Sequence, residues 1–302
     1  MTTLPASARA LLPLLLFLAL FLGSGVYYSM LGTEFAFYQL KAPIAALPAI
    51  VLAVMLHKAG INRAIDQLLA GMGHANIMLM VLVFLLAGAF ATVSEDIGSV
   101  EATVQFALQW VPANAVLPAL FVIAGFIATA MGTSMGTIAA TAPIAVGFAA
   151  ATGLSPALAL GAVVSGAMFG DNLSMISDTT IAATRSQGVS LKDKFRVNVW
   201  IALPAALLTL VVLFMLGGDT HQPVPQPSTV ALILPYLAVF ALAFSGLHVL
   251  VVLTLGLLLS GALGLLLTPD YTLPSFSAGI YRGFEGMFEI SLLALLMGGL
   301  SA

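Results

Sequence analysis

Apolar residues in this chain run in long blocks divided by short polar stretches. They do not alternate at the period of a half-buried strand. Ten blocks stand out, at roughly 11–31, 42–57, 75–94, 113–131, 137–152, 155–170, 197–217, 229–246, 248–267 and 284–302. Because about 20 mainly apolar residues make one helical crossing of a bilayer, the pattern predicts an all-α integral membrane protein. The expected count is about 9–10 transmembrane or re-entrant helices. Several blocks are short and 137–152 contains Pro143, which predicts broken helices there. Segment 58–72 is different. Its apolar Ile61, Ile65, Leu68 and Leu69 recur at helical spacing among polar residues, the pattern of a surface helix.

Composition sharpens the picture. Of 302 residues, 61% are hydrophobic and only 7% charged, against about 25% charged in soluble domains. Lipid-facing side chains can be apolar where water-facing ones cannot. The net charge is −3, with no basic patch, so no nucleic acid is expected as a partner. There is no Cys, which excludes disulfides and Cys-based redox or metal chemistry. The four His are scattered without metal-ligand spacing, and no resident cofactor is expected. Arg9 before the Leu-rich run 11–22 resembles a signal peptide, but apolar character continues to Leu31. It therefore reads as a retained first span.

Charges sort the loops. Lys58 and Arg63 lie in one polar segment, and Arg185, Lys192, Lys194 and Arg196 in another, while Glu95, Asp96 and Glu101 make a third acidic. The positive-inside rule puts the two basic segments, and the N-terminus with them, in the cytoplasm. Lys41 and Arg282 fall outside on this count. Trp110, Trp200 and Tyr236 near block ends fit interfacial anchors, and His248 fits a turn. Gly166 and Gly170 have the GxxxG spacing of close helix packing. Glu289, one turn after Glu285, faces a pathway, pairs with Arg282 or lies at the interface.

Candidate chemistry sits in two polar segments between apolar blocks. The first is Gly132-Thr133-Ser134-Met135-Gly136-Thr137, followed by Thr141 and Pro143. Glycines at both ends permit a backbone break, and hydroxyls with freed carbonyls suit a hard cation. A small-residue helix crossing is the plainer reading. The second runs from Gly170 through Asp171, Asn172, Leu173, Ser174, Met175, Ile176, Ser177 and Asp178 to Thr179 and Thr180. Its two Asp carry the only charges between Glu101 and Arg185. Intramembrane carboxylates are costly and mark ion or proton paths, because such a group can exchange a proton for a cation. The plainer reading makes Asp171 a helix cap and pairs Asp178 with Arg185.

The stretch Phe169–Val189, FGDNLSMISDTTIAATRSQGV, closely resembles the signature of NhaC-type Na+/H+ antiporters and their ion-transporter superfamily relatives. GTSMGT with TAPI after it matches a second family feature. Met175 stands where many members have Pro. The resemblance covers 113–200 well and implies a multi-pass protein of the bacterial-type plasma membrane, not an enzyme. It implies exchange of Na+ for H+ at Asp171 and Asp178. Asn172, Ser174, Ser177, Thr179, Thr180, Thr133, Ser134 and Thr137 would be oxygen ligands, Na+ would sit at Asp171, Asp178, Thr133 and Ser134, and breaks would fall at Gly132, Gly136 and Gly170. Two alternatives stay open, a Na+- or H+-coupled carrier of a small amino acid or carboxylate and a non-transporting membrane scaffold. A homo-oligomer is compatible with any of them.

Two short matches suggest an internal repeat. LLPLLLFLAL at 11–20 aligns with ILPYLAVFAL at 233–242, and LLAGAFA at 85–91 with LMGGLSA at 296–302. The expected division is a first repeat, 1–217, holding polar segments 132–143 and 170–180, and an inverted second repeat starting in 218–302 and incomplete there. A C-terminally truncated chain is the expectation that follows.

Overall fold

The computed structural model describes residues 8–58, 60–174, 177, 180, 184, 188–217 and 229–301. Asp178 and Thr179, and with them the pairing of Asp178 with Arg185, lie outside the described residues.

The described residues form α-helices: α1 (Leu12–Met30), α2 (Ala42–Leu56), α3 (Ile61–Met72), α4 (Ala75–Asp96), α5 (Ser99–Ala107), α6 (Val116–Met131), α7 (Ser134–Thr152), α8 (Pro156–Leu173), α9 (Leu191–Leu216), α10 (Leu234–Phe244), α11 (Val249–Leu267), α12 (Leu273–Gly286) and α13 (Phe288–Leu300). Each of the ten apolar blocks is helical. Among the described residues six helices are long and apolar enough to cross a membrane, or up to seven if the broken pair α12 and α13 counts as one span. The chain is thus an all-α, multi-pass membrane protein. The expected 9–10 segments include α2 and α10, which are apolar but short, and α8, whose Asp171 and Asn172 dilute its last turn. Pro143 does not break α7. The helix runs through it, as α9 runs through Pro204, which neighbouring helices make tolerable in a membrane span.

Contacts divide the chain into two compact units, one with residues up to Leu85 and from Gly286 on, the other Leu86–Glu285. In the first, Phe17 of α1 and Ala45, Ala46 and Ala49 of α2 form a core closed by Leu293, Leu296 and Met297 of α13. α3 is amphipathic as expected. Ala64 is buried while Ile61, Ile65 and Leu69 are exposed. Lys41 pairs with Glu289 at 2.9 Å, so the sequence's candidate partner Arg282 is not the one used.

In the second unit, the tightest crossing is α6 on α8. A Cβ on Gly166 would collide with the Phe121 carbonyl, and one on Gly170 with the Gly125 carbonyl, so only glycine lets these backbones approach. Tyr236 is fully buried and packs edge-on against Phe90 at 5.1 Å between ring centroids. That corrects its reading as an interfacial anchor, since its ring fills a core position opposite α4. Trp110 and Trp200 are exposed. Arg282 makes a bidentate contact with Asp96, at 2.8 and 2.6 Å. His248 caps α11, accepting from the Leu250 N–H at 3.3 Å.

Local chemistry sets the ends around the polar segments. Gly132 closes α6 in the left-handed region at φ 70°, where a glycine has no Cβ penalty. Thr133 then extends and caps α7, its hydroxyl accepting from Gly136 N–H. Ser155 and Pro156 open α8, with proline at the first turn where its missing N–H costs nothing. Ser190 caps α9 reciprocally, accepting from Asp193 N–H at 3.1 Å and donating to its carboxylate at 2.6 Å.

Candidate ion site at the end of the eighth helix

α8 stops at Leu173, and Ser174 is extended at φ −66°, ψ 137°. The turn before this stop carries Asp171 and Asn172, so the carbonyls that a helix end leaves unused lie beside a carboxylate. Thr129 of α6 donates to the Gly170 carbonyl at 3.1 Å and to its own Gly125 carbonyl at 2.8 Å. Ser134, at the start of α7, donates to Asp171 Oδ2 at 3.2 Å. Three helices, α6, α7 and α8, therefore meet at Asp171.

From α9, Lys194 and Asn198 reach the same place. They are four apart and share a helix face. The Lys194 ammonium donates to the Asn172 carbonyl and to Thr180 Oγ1 at 2.8 Å. Asn198 Nδ2 donates to Asn172 Oδ1 at 2.7 Å. Thr180 is buried, as are Ser174, Ser177 and Thr184, and Thr184 Oγ1 donates to the Thr180 carbonyl at 2.9 Å.

Asp171 is the exception to this satisfaction. Its Oδ1 is buried and has no hydrogen-bond partner. Leaving a buried carboxylate oxygen unpaired costs at least about 1–3 kcal/mol. Among the described residues no three His, Cys, Asp or Glu gather as a metal site. A cation here would meet one carboxylate and neutral oxygens, a donor set suited to a hard ion.

The other sequence candidates fall differently. Thr137 is fully buried, and its hydroxyl donates to the Thr133 carbonyl at 2.9 Å. Thr133 Oγ1 is occupied as the α7 cap. Of that segment only Ser134 touches Asp171. The expected breaks are placed at Gly132 but not at Gly136 or Gly170, both of which are helical. Each is a packing position. A Cβ on Gly136 would lie 2.5 Å from Val249 Cγ2 and 2.9 Å from Thr133 Cγ2. Asp171 lies in the last turn of α8 and so is not an N-cap. Sequence reasoning missed Lys194, Asn198 and Thr129. Lys194 had been grouped with the loop charges, and only its distance to Asn172 and Thr180 separates it from them.

Beside the site a groove of about 370 Å³ runs between α8 and α9. Asn172 and Asn198 line one part, with Met168, Phe169 and Ile201.

Comparison with known proteins agrees with this setting. The sequence profile of the Na+/H+ antiporter family matches residues 11–218. The chain belongs to the Na+/H+ antiporter family. It is therefore a transporter-family protein of the plasma membrane, not an enzyme. It is 28% identical over 245 residues to the Na+/H+ antiporter NhaC of Bacillus subtilis, covering 75% of this chain and 53% of the relative. To NhaC of Alkalihalophilus pseudofirmus it is 40% identical over 74 residues, 24% of this chain and 16% of the relative. To the malate-2H+/Na+-lactate antiporter of Bacillus subtilis it is 29% identical over 150 residues, 48% of this chain and 32% of the relative. The matches thus reach about half the length of these relatives at most.

Proposed function

We propose that this antiporter-family chain exchanges Na+ for H+, with Asp171 as one exchanging group and Asp178 as the second. The observation that carries the reading is the buried, unpartnered Oδ1 of Asp171 beside the Ser134 hydroxyl. A carboxylate in that position binds a proton or a cation in turn, and the two forms exclude each other. Ser134 adds a neutral oxygen, and Ser174, Ser177, Thr179 and Thr180, which follow α8 in sequence, would supply the remaining hydroxyls. The relatives named as Na+/H+ antiporters support the same ions.

The test is proton movement in vesicles holding the 302-residue chain, read by a pH dye on addition of Na+ and, as control, choline. Asp171→Asn keeps the shape and the Ser134 contact but cannot take up a proton. It is expected to reduce Na+-driven proton movement at least roughly tenfold, the equivalent of about 1.4 kcal/mol, with insertion unchanged. Asp178→Asn is expected to do the same. Full activity in either variant across pH 6 to 9 removes that residue from the exchange.

A second reading is favoured by one feature, the groove beside Asn172 and Asn198. Its volume is within the range of small-molecule sites, and two amides beside the Lys194 cation could hold a carboxylate. Radiolabelled lactate and malate uptake in the same vesicles separates this carrier reading from ion exchange alone.

A further inference from the structure

Lys194 is a cation placed on the oxygens where a transported cation would be expected to bind. Its ammonium is held by the carbonyl of Asn172, the residue after Asp171, and by Thr180 Oγ1 at 2.8 Å. A peptide carbonyl and a hydroxyl are also the ligand types a hard cation takes. The carbonyl belongs to the last turn of α8, where the helix dipole adds negative potential. Its described charged neighbours behave differently. Lys192 and Arg196 are exposed, and Asp193 is engaged with Ser190.

We propose that Lys194 is a tethered competitor for Na+, occupying the Asn172 carbonyl and the Thr180 hydroxyl when the ion is absent and vacating them when it binds. This rests on the reading of the site as a Na+ site. A lysine suits the part because it is a point charge on a flexible four-carbon stem, which can swing away without moving the helix. The compact ammonium satisfies helix-end oxygens in the empty site, and two cations cannot share them. The site then binds Na+ more weakly than its oxygens alone would allow, which helps the ion leave. The exposed side of Lys194 offers the displaced ammonium a route toward the groove lined by Asn198 and Ile201. Asn198 holds the Asn172 side chain at 2.7 Å, so the carbonyl's own residue stays in place during the exchange.

The experiment measures amine acylation of the full purified chain with acetic anhydride, in NaCl and in choline chloride at equal ionic strength, followed peptide by peptide by mass spectrometry. Displacement predicts that Na+ speeds modification of Lys194 about threefold or more, saturably, as the exposed population grows, while Lys192 is unchanged. A Lys194 rate that is unchanged or slowed by Na+ overturns the proposal. In vesicles, Lys194→Gln is expected to lower the half-saturating Na+ concentration severalfold and to reduce maximal rate. A half-saturating concentration equal to or above the parent's overturns it as well. Labelling of the parent chain needs no variant to fold. It also separates the two readings. If Na+ moves no protons but exposes Lys194, the exchange reading fails and this one stands. If protons move and Lys194 does not respond, this one alone falls.

Discussion

The two polar segments look alike in sequence and are used in opposite ways. Around Gly132–Thr137 nearly every hydroxyl is spent on the chain's own backbone. Thr133 caps α7, Thr137 donates to the Thr133 carbonyl, and Thr141 donates to the Thr137 carbonyl at 2.7 Å. Among the described residues of Asp171–Thr180, Asp171, Asn172 and Thr180 are held from other helices by Ser134, Lys194 and Asn198, and Asp171 Oδ1 has no hydrogen-bond partner. The first is a tight helix junction that serves the second. A density of hydroxyls is therefore a poor guide to a site, because an i to i−4 hydroxyl bond inside a helix consumes the group it was counted for. What separates the segments is whether a polar atom's partner comes from elsewhere, or is missing.

The largest expected effect tests whether the second segment depends on the α6–α8 crossing for its position. Gly170→Val forces a branched side chain against the Gly125 carbonyl. Overpacking of this kind costs about 1–3 kcal/mol or more, and here the obstacle is backbone that cannot rotate away. Loss of folded, monodisperse protein is expected, or a large fall in thermal midpoint. Gly161→Val is the control, since nothing lies within 4 Å of a Cβ at Gly161. Equal stability of the two variants would mean that the crossing is looser than these contacts imply.

Much of this was legible beforehand. The apolar blocks became helices because a lipid-embedded backbone must satisfy itself internally, and Gly166 and Gly170 packed as their spacing suggested. The helix at 61–72 also followed from local pattern, whereas His248, read as a turn residue, caps α11. Partners separated by long stretches of chain did not. Arg282 lies near Glu289 in sequence yet binds Asp96, 186 positions away, and Glu289 binds Lys41. Within each unit helix ends far apart in the chain meet, and no local spacing records which ends do. Tyr236 was misplaced for the same reason, because block-end position cannot distinguish a membrane interface from a core contact with Phe90. Lys194 was hidden by its length. Its backbone belongs to a basic segment, while its ammonium sits 22 residues back, on Asn172.

A smaller effect is expected at Ser134, where the two segments touch. Ser134→Ala removes the Asp171 Oδ2 contact and leaves α7 capped by Thr133. A hydrogen bond to a charged group is worth about 1.5–3 kcal/mol, and its 3.2 Å length places this one at the weak end. The half-saturating Na+ concentration should rise roughly tenfold, with little change in thermal midpoint. An unaltered Na+ dependence would reduce the first segment to a structural junction with no share in the ion.

The smallest effect on Na+ is expected at Thr133 and Thr137, and it is the sharpest test of the contrast. Thr137→Val keeps volume and branching but deletes a hydroxyl that donates to the Thr133 carbonyl and is fully buried. Thr133→Ala deletes the α7 cap, whose single bond to the Gly136 N–H is long at 3.4 Å. Such changes cost about 0.5–2 kcal/mol of stability, so both variants should melt earlier than the parent. Neither hydroxyl contacts Asp171, and Ser134 is untouched in each. The half-saturating Na+ concentration should therefore move less than roughly twofold, which is under about 0.4 kcal/mol. The result to look for is a lowered thermal midpoint at nearly constant Na+ dependence, the reverse of Ser134→Ala. If Thr137→Val instead raised the Na+ requirement tenfold at unchanged stability, the hydroxyl would have to turn from the Thr133 carbonyl toward the ion. The two segments would then be one ligand shell, and the contrast drawn between them would collapse.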